Sequence, residues 1–501
     1  PVTNRSAADS MVHNGTPISS FGGSQTVNQA LQTANAISVA AANHQTSAGT
    51  GKHALPITPV AAPAMTVQNM AGMVHGIKPG QFMTSVHLSN AATPPVLLYS
   101  HLVGALGEAG LNGIAKDATG NSYVAGYADL TGSGKIVGLV AKTDPTGAIL
   151  WVDGVTEMNP APDKMYGLAL DATASTLYAA GALDNGTGTT DGVVLALDTS
   201  TGAGTGGYMI ASGAMTGVTV DVPGNVYADG YLTDGSGALL AVKTDGALSL
   251  PPIYATGITV AGSPLITTSS QSIAVDVGGN VGLTGQLQDP SGDFSGLTAS
   301  LDSTGSFIPY AFTWINPTPG PGGAVNGIIY GGGSFYEAGT LNAGDGSTQL
   351  SKDLILAKLD SVSGAITWGF DWYVDDRTPL AARVGDWTGD GIGLTGAAGD
   401  NPVVTGGAID PVQYPPLDPP TAGVDVTVTH FGAAGNTTML HTDGDPENCF
   451  GGSADDYGRG LVVSAGVAYT VGATASADFP TTDGSTYGGG PTDGFGTTLA
   501  V

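Results

Sequence analysis

One short pattern, a polar turn leading into an apolar strand that closes on glycine, returns seven times along this chain. The copies are DATGNSYVAG (117–126), DATASTLYAAG (171–181), DVPGNVYADG (221–230), DVGGNVGLTG (276–285), GGGSFYEAG (331–339), GDNPVVTGG (399–407) and AGVAYTVG (465–472). Taken alone, the first copy could pass for a phosphate cradle or a calcium loop. Its recurrence favours a structural turn, because the polar positions drift between copies while Gly126, Gly181, Gly230, Gly285, Gly339, Gly406 and Gly472 persist.

After each of the first six copies a variable Gly/Asp/Ser-rich loop leads to a third apolar strand, as in GLVAKTDPTG (138–147) and LILAKLDSVSG (354–364). A fourth strand tends to carry aromatics, ending at Trp151 in one unit and Trp368 in another. Successive closing glycines lie 49 to 67 residues apart, and four antiparallel strands repeated at such a period predict an all-β propeller. Each unit has two apolar faces that only its neighbours can bury. The seventh copy ends with its third strand, GFGTTLAV (494–501), while PVLLYSHLVG (95–104) stands before the first copy as an unassigned strand. Pairing the two closes a single seven-bladed ring over 94–501 and removes two exposed edges.

GNSYVAGY, VAKTDPTGAILW, LLYSHLVG and above all GATASADFPTT (472–482) resemble the bacterial SBBP β-propeller repeats, most closely in the first and last copies. The resemblance implies a secreted or cell-surface bacterial protein, not generally enzymatic, and it supplies no catalytic residues. Copies five to seven lack the leading aspartate, so their turns must be held differently.

Residues 1–93 read as a separate N-terminal arm. They hold three basic residues (Arg5, Lys52, Lys78) and one acidic residue (Asp9), a net of +2, which leaves −30 for the remainder of a chain of net charge −28. The arm is too poor in aromatics to bury a core of its own. Within it, 26–43 has helical spacing behind a capping box of Thr26 and Gln29, and 81–88 alternates as a strand does. The start at Pro1 suggests that a leader has been removed. The acidity argues against nucleic acid as a partner. No apolar run approaches the ~18 residues of a membrane span. With one cysteine, Cys449, no intrachain disulfide is possible.

Asp117, Asp171, Asp221 and Asp276 open the turns and are expected to accept bonds from backbone N–H groups, with Gly120, Gly224 and Gly279 at positive φ. The candidate calcium ligands are Asp443, Asp445 and Glu447, alternating in HTDGDPENCFGGSADD (441–456), against the reading of a solvated acidic loop. Asp386 and Asp390 are a weaker case. Trp368 and Trp372 alternate on one strand face ahead of Asp375 and Asp376, the composition of a glycan platform, or of a core cluster between blades. No hydrolase, nucleotide-binding or metalloprotease motif occurs. The expected function is a non-enzymatic surface protein that self-assembles through its arm into a layer, ring or fibre. The alternative is a propeller binding a glycan or another cell-surface protein, with calcium as a possible cofactor; a polysaccharide-active enzyme stands last.

Overall fold

The computed structural model describes the strands Thr66–Asn69 and Val74–Ile77, and residues 97–500 apart from several short stretches and 315–322, 373–387, 409–422 and 433–448. The predicted helix at 26–43, the predicted strand at 81–88, and residues 375, 376, 386, 443, 445 and 447 lie outside the described residues. No helix among those described is long and apolar enough to cross a membrane.

Seven sheets follow one another along the chain. Blade 1 is Ala109–Lys116, Ser122–Ala128, Val137–Thr143 and Ile149–Val155, paired antiparallel in that order. Blades 2 to 6 begin at Lys164, Gly213, Leu265, Ala324 and Gly391. The first strand of each blade touches the first strand of the next, and that of blade 7 touches that of blade 1, so the first strands line the axis of a closed ring. Six apolar clusters pack the successive blade interfaces, Leu177, Val193 and Leu195 between blades 1 and 2 among them. At the remaining seam the Lys116 ammonium lies 3.8 Å from the Tyr469 ring centroid.

The predicted closure holds. Asp456–Ser464, Val467–Thr474 and Asp493–Ala500 form three strands of blade 7, and the N-terminal Leu97–Val103 is its fourth. Leu97–Val103 is latched from outside by the SADFPTT loop: the Ser100 N–H donates to Thr482 Oγ1, the Ser100 hydroxyl to the Pro480 carbonyl, and the Leu102 N–H to Ser485 Oγ. Phe479 of that loop turns inward and stacks on Phe495 at 4.8 Å. The motif that carries the family resemblance is therefore the latch of the ring.

The turn reading also holds. The Asp117 carboxylate accepts from the N–H groups of Thr119 and Asn121 (both 2.9 Å), from Asn121 Nδ2 and from the Tyr123 hydroxyl. Burial alone would raise its pKa, but these donors outweigh it and hold the carboxyl down to about 2. Gly120, Gly224 and Gly279 have φ of 92°, 91° and 84°. Blades 5 and 7, which lack the aspartate, use two-residue hairpins instead, with Gly332, Gly333, Ala465 and Gly466 all at positive φ.

The persistent closing glycines of four blades answer to a bulge in the inner strand. Register slips at Asn112, Thr216, Asn326 and Arg459, and the glycine opposite lies hard against the inner strand two residues before the bulge. A Cβ on Gly126, Gly230, Gly339, Gly406 or Gly472 would overlap the carbonyl oxygen of Gly110, Ala214, Ala324, Thr388 or Tyr457 respectively. These clashes are with backbone, which no rotamer change relieves.

Two stretches of the arm also join the ring. Thr66–Asn69 pairs parallel with Tyr254–Thr259, the outer strand of blade 3, and Val74–Ile77 pairs parallel with Ala311–Trp314, the outer strand of blade 4.

Candidate functional site

The bulges re-aim one residue per blade toward the axis. In the four blades named above these are Asn112, Thr216, Asn326 and Arg459; blade 2 slips around Tyr166. In blade 4 the inner strand is interrupted, Leu265–Ile266 then Ile273–Val275, with Gln271 in the gap; in blade 6 Asp390 stands just before the inner strand. The sequence signal is a polar residue ahead of glycine: Asn112-Gly113, Tyr166-Gly167, Thr216-Gly217, Asn326-Gly327, Asp390-Gly391 and Arg459-Gly460, with Gln271-Ser272 as the variant. This signal has the same period as the strand-closing glycines, and the varying identity of its polar residue hides it beside them. The glycine after the polar residue lets inner strands approach: a Cβ on Gly460 would sit 2.7 Å from the Asn112 carbonyl oxygen of blade 1.

Gln271 spans the axis. Its Nε2 donates to the carbonyls of Ile392 (3.0 Å) and Leu461 (2.9 Å), and its Oε1 accepts from the Ile392 N–H (2.8 Å). One side chain of blade 4 thus fastens blades 6 and 7. Beside it, Asn326 Nδ2 donates to the Gly389 carbonyl and to Asp390 Oδ1 (2.8 Å), and the Thr388 hydroxyl donates to Asp390 Oδ2. Burial pushes the Asp390 carboxyl up to about 6 against those donors and the Arg459 charge. Asp390, one of the two residues of the weaker calcium candidate, accepts hydrogen bonds at the axis.

On the blade 3 to blade 4 side, Asp229 is fully buried. The Ser272 hydroxyl donates to its Oδ1 (2.9 Å), and its Oδ2 has no partner. Desolvation raises this carboxyl to about 7, more than Ser272 and the nearby backbone N–H groups lower it.

The mouth of the axis between blades 7, 1 and 2 gathers a further set. Arg459 Nη1 donates to Asn112 Oδ1 (2.9 Å) and to the Tyr127 hydroxyl (3.3 Å), while Asn112 Nδ2 donates to the Met165 carbonyl. The Lys164 ammonium lies 4.0 Å from the Tyr127 ring centroid and 3.6 Å from Glu108 Oε1. Burial lowers the Lys164 pKa, Glu108 opposing and Arg459 adding to the effect.

Of the platform residues, Trp368 packs edge-on against Tyr336, centroids 6.1 Å apart, and joins the core cluster between blades 5 and 6. In the backbone register Trp368 stands opposite Lys358 and Trp372 opposite Leu354. Of the two readings for Trp368, the packing is that of core. Among the described residues no group of three His, Cys, Asp or Glu is placed to hold a metal ion.

No family model matches this chain, and no curated protein matches its sequence. Solved structures similar to it include propellers. The β-propeller domain of the Trilobed protease from Pyrococcus furiosus is 8% identical, with 76% of this chain and 91% of that one covered and a TM-score of 0.39. The WD40 β-propeller domain of Doa1 is 10% identical, with 80% and 97% covered and a TM-score of 0.39. A protein of unknown function from Dyadobacter fermentans is 9% identical, with 81% and 99% covered and a TM-score of 0.40.

Proposed function

We propose that this chain is a non-catalytic interaction protein of the bacterial cell surface, related to the SBBP repeat proteins, that associates with copies of itself by donating strands from its N-terminal arm. The observation that carries the reading is the pairing of Thr66–Asn69 and Val74–Ile77 on the outer edges of blades 3 and 4. Strand addition to a sheet edge gains main-chain hydrogen bonds without needing a core in the donor, which suits a segment this poor in large apolar residues. The same pairs form equally well in trans, because exchange of identical elements between copies changes only the connection.

That connection is long enough for either arrangement. Nineteen residues, 78–96, lie between Ile77 and the closing strand, and extended chain spans at most roughly 65 Å over that length. The charge split, +2 in 1–93 against −30 beyond, draws the arm toward any propeller surface, its own or a neighbour's. Among the described residues, the outer strands Ile149–Val155, Gly204–Ile210 and Ile366–Trp372 carry no added strand and offer further edges.

The test is deletion of 1–80, which spares the closing strand. Light scattering of the full chain and the deletion is expected to show a larger assembly only for the full chain. An unchanged assembly in the deletion overturns the proposal.

A further inference from the structure

We propose that the axial mouth between blades 7, 1, 2 and 3 is a binding site for a carboxylate-bearing ligand, with Arg459 as the charged contact and the Tyr166 and Tyr231 hydroxyls as neutral donors. The inference is independent of the assembly reading and begins from an anomaly of charge. The chain has 41 acidic side chains and only 13 lysines and arginines, so an arginine here has an ample supply of carboxylates. Arg459, half-buried at the axis, forms no ion pair with any of them among the described residues, although its charge is felt by the buried Asp390. Its direct partners are the neutral Asn112 Oδ1 and Tyr127 hydroxyl, and both engage the same nitrogen, Nη1. Among the described residues, the Nε and Nη2 donors of the guanidinium are left unspent.

The surroundings hold the cation in this state. Asn112 is fixed by its own bond to the Met165 carbonyl, so its oxygen faces Arg459. Tyr127 accepts from Arg459, and Glu108 lies near enough to the same hydroxyl to raise its pKa, after burial itself. Glu108 in turn is taken up by Lys164 at 3.6 Å, so this carboxylate already has a cation of its own. Arginine's planar fork and fixed charge suit a carboxylate held side-on.

Two more donors converge on the same space. Tyr166 is the inward-facing residue of blade 2, and Tyr231 follows the closing Gly230 in blade 3 as Tyr127 follows Gly126 in blade 1. Both are half-buried, and among the described residues neither hydroxyl has a hydrogen-bond partner. Tyr166 lies near enough to Tyr231, Tyr127 and Arg459 to feel all three electrostatically, after burial itself. A half-buried guanidinium with donors to spare, with the Tyr166 phenol near it and Tyr231 near Tyr166, suits one compact anion. The strongly acidic chain around it disfavours polyanions.

Carboxylates reach such a mouth from two sources, a uronic acid or the C-terminus of a peptide, and the test separates them. The full-length protein is titrated by calorimetry with glucuronate and with an N-acetylated dipeptide, and with glucose and the amidated dipeptide as neutral controls. Binding of either carboxylate, absent for its neutral control, is the expected result. Arg459→Gln is expected to weaken it at least tenfold, Arg459→Lys less, and Tyr166→Phe a fewfold with the fold intact by circular dichroism. Absence of binding of both acids at millimolar concentration overturns the proposal, as does equal affinity in folded Tyr166→Phe and Arg459→Lys proteins.

Discussion

Replacing Asp229 by asparagine is expected to stabilise the ring, and to do so only above acid pH. An unfolded aspartate ionises at ~3.9, whereas burial, with Oδ2 left unpartnered, raises the folded carboxyl to about 7. The folded state therefore binds the proton more tightly than the unfolded state. Below ~3.9 both are protonated and the stabilising difference is fully present. As pH rises the unfolded chain ionises first, so stability falls, and the loss is complete once pH has passed through the folded pKa near 7. Three units of difference at 1.36 kcal/mol each amount to about 4 kcal/mol. Asparagine imitates the protonated acid in shape, keeps an acceptor for the Ser272 hydroxyl and never charges. Urea denaturation of both proteins at pH 4, 6 and 8 reads the effect directly. The two should agree at pH 4 and separate progressively, Asp229→Asn being more stable by up to about 4 kcal/mol at pH 8. A difference that does not vary with pH refutes the reasoning, because a purely steric effect of the amide carries no proton linkage.

Two further substitutions test the axis and the bulges. Gln271→Ala removes three hydrogen bonds between blade 4 and blades 6 and 7, and at about 1 kcal/mol each the loss is about 3 kcal/mol; chemical denaturation checks it, and unchanged stability removes Gln271 as a fastener. Gly472→Ala drives a methyl into the Tyr457 carbonyl and within 2.7 Å of the Phe495 ring, which is expected to cost about 3 kcal/mol or more. Gly206→Ala, where a Cβ would meet nothing closer than 3.5 Å, is the control and should leave the melting temperature nearly unchanged.

Much of the fold was legible because the repeat and its physics are both local. Asp117 at the head of a turn, Gly120 at positive φ and an alternating strand behind them need no distant partner to be recognised. The orphan strand around Leu97–Val103 was legible for a different reason, since a ring with one three-stranded blade leaves an edge that only it could fill. Asp229 is an instance of what was not legible. In DVPGNVYADG it reads as one more polar residue before a glycine, and only the packing of blade 4 against blade 3 removes it from water.

The sequence by itself determined that the chain is a seven-unit all-β propeller, where each unit turns, and that the N-terminal strand completes the last blade. The tertiary structure decided the axis. Bulges at Asn112, Thr216, Asn326 and Arg459 place side chains separated by hundreds of residues within hydrogen-bond reach, as Arg459 and Asn112 show across the seam between blades 7 and 1. It also decided that Trp368 packs, partly buried, against the cluster between blades 5 and 6, and that Thr66–Asn69 and Val74–Ile77 lie on blades 3 and 4. The physical reason is range: turn chemistry is written within a few residues, while the charge state and partners of an axial side chain depend on which blades the closed ring brings around it.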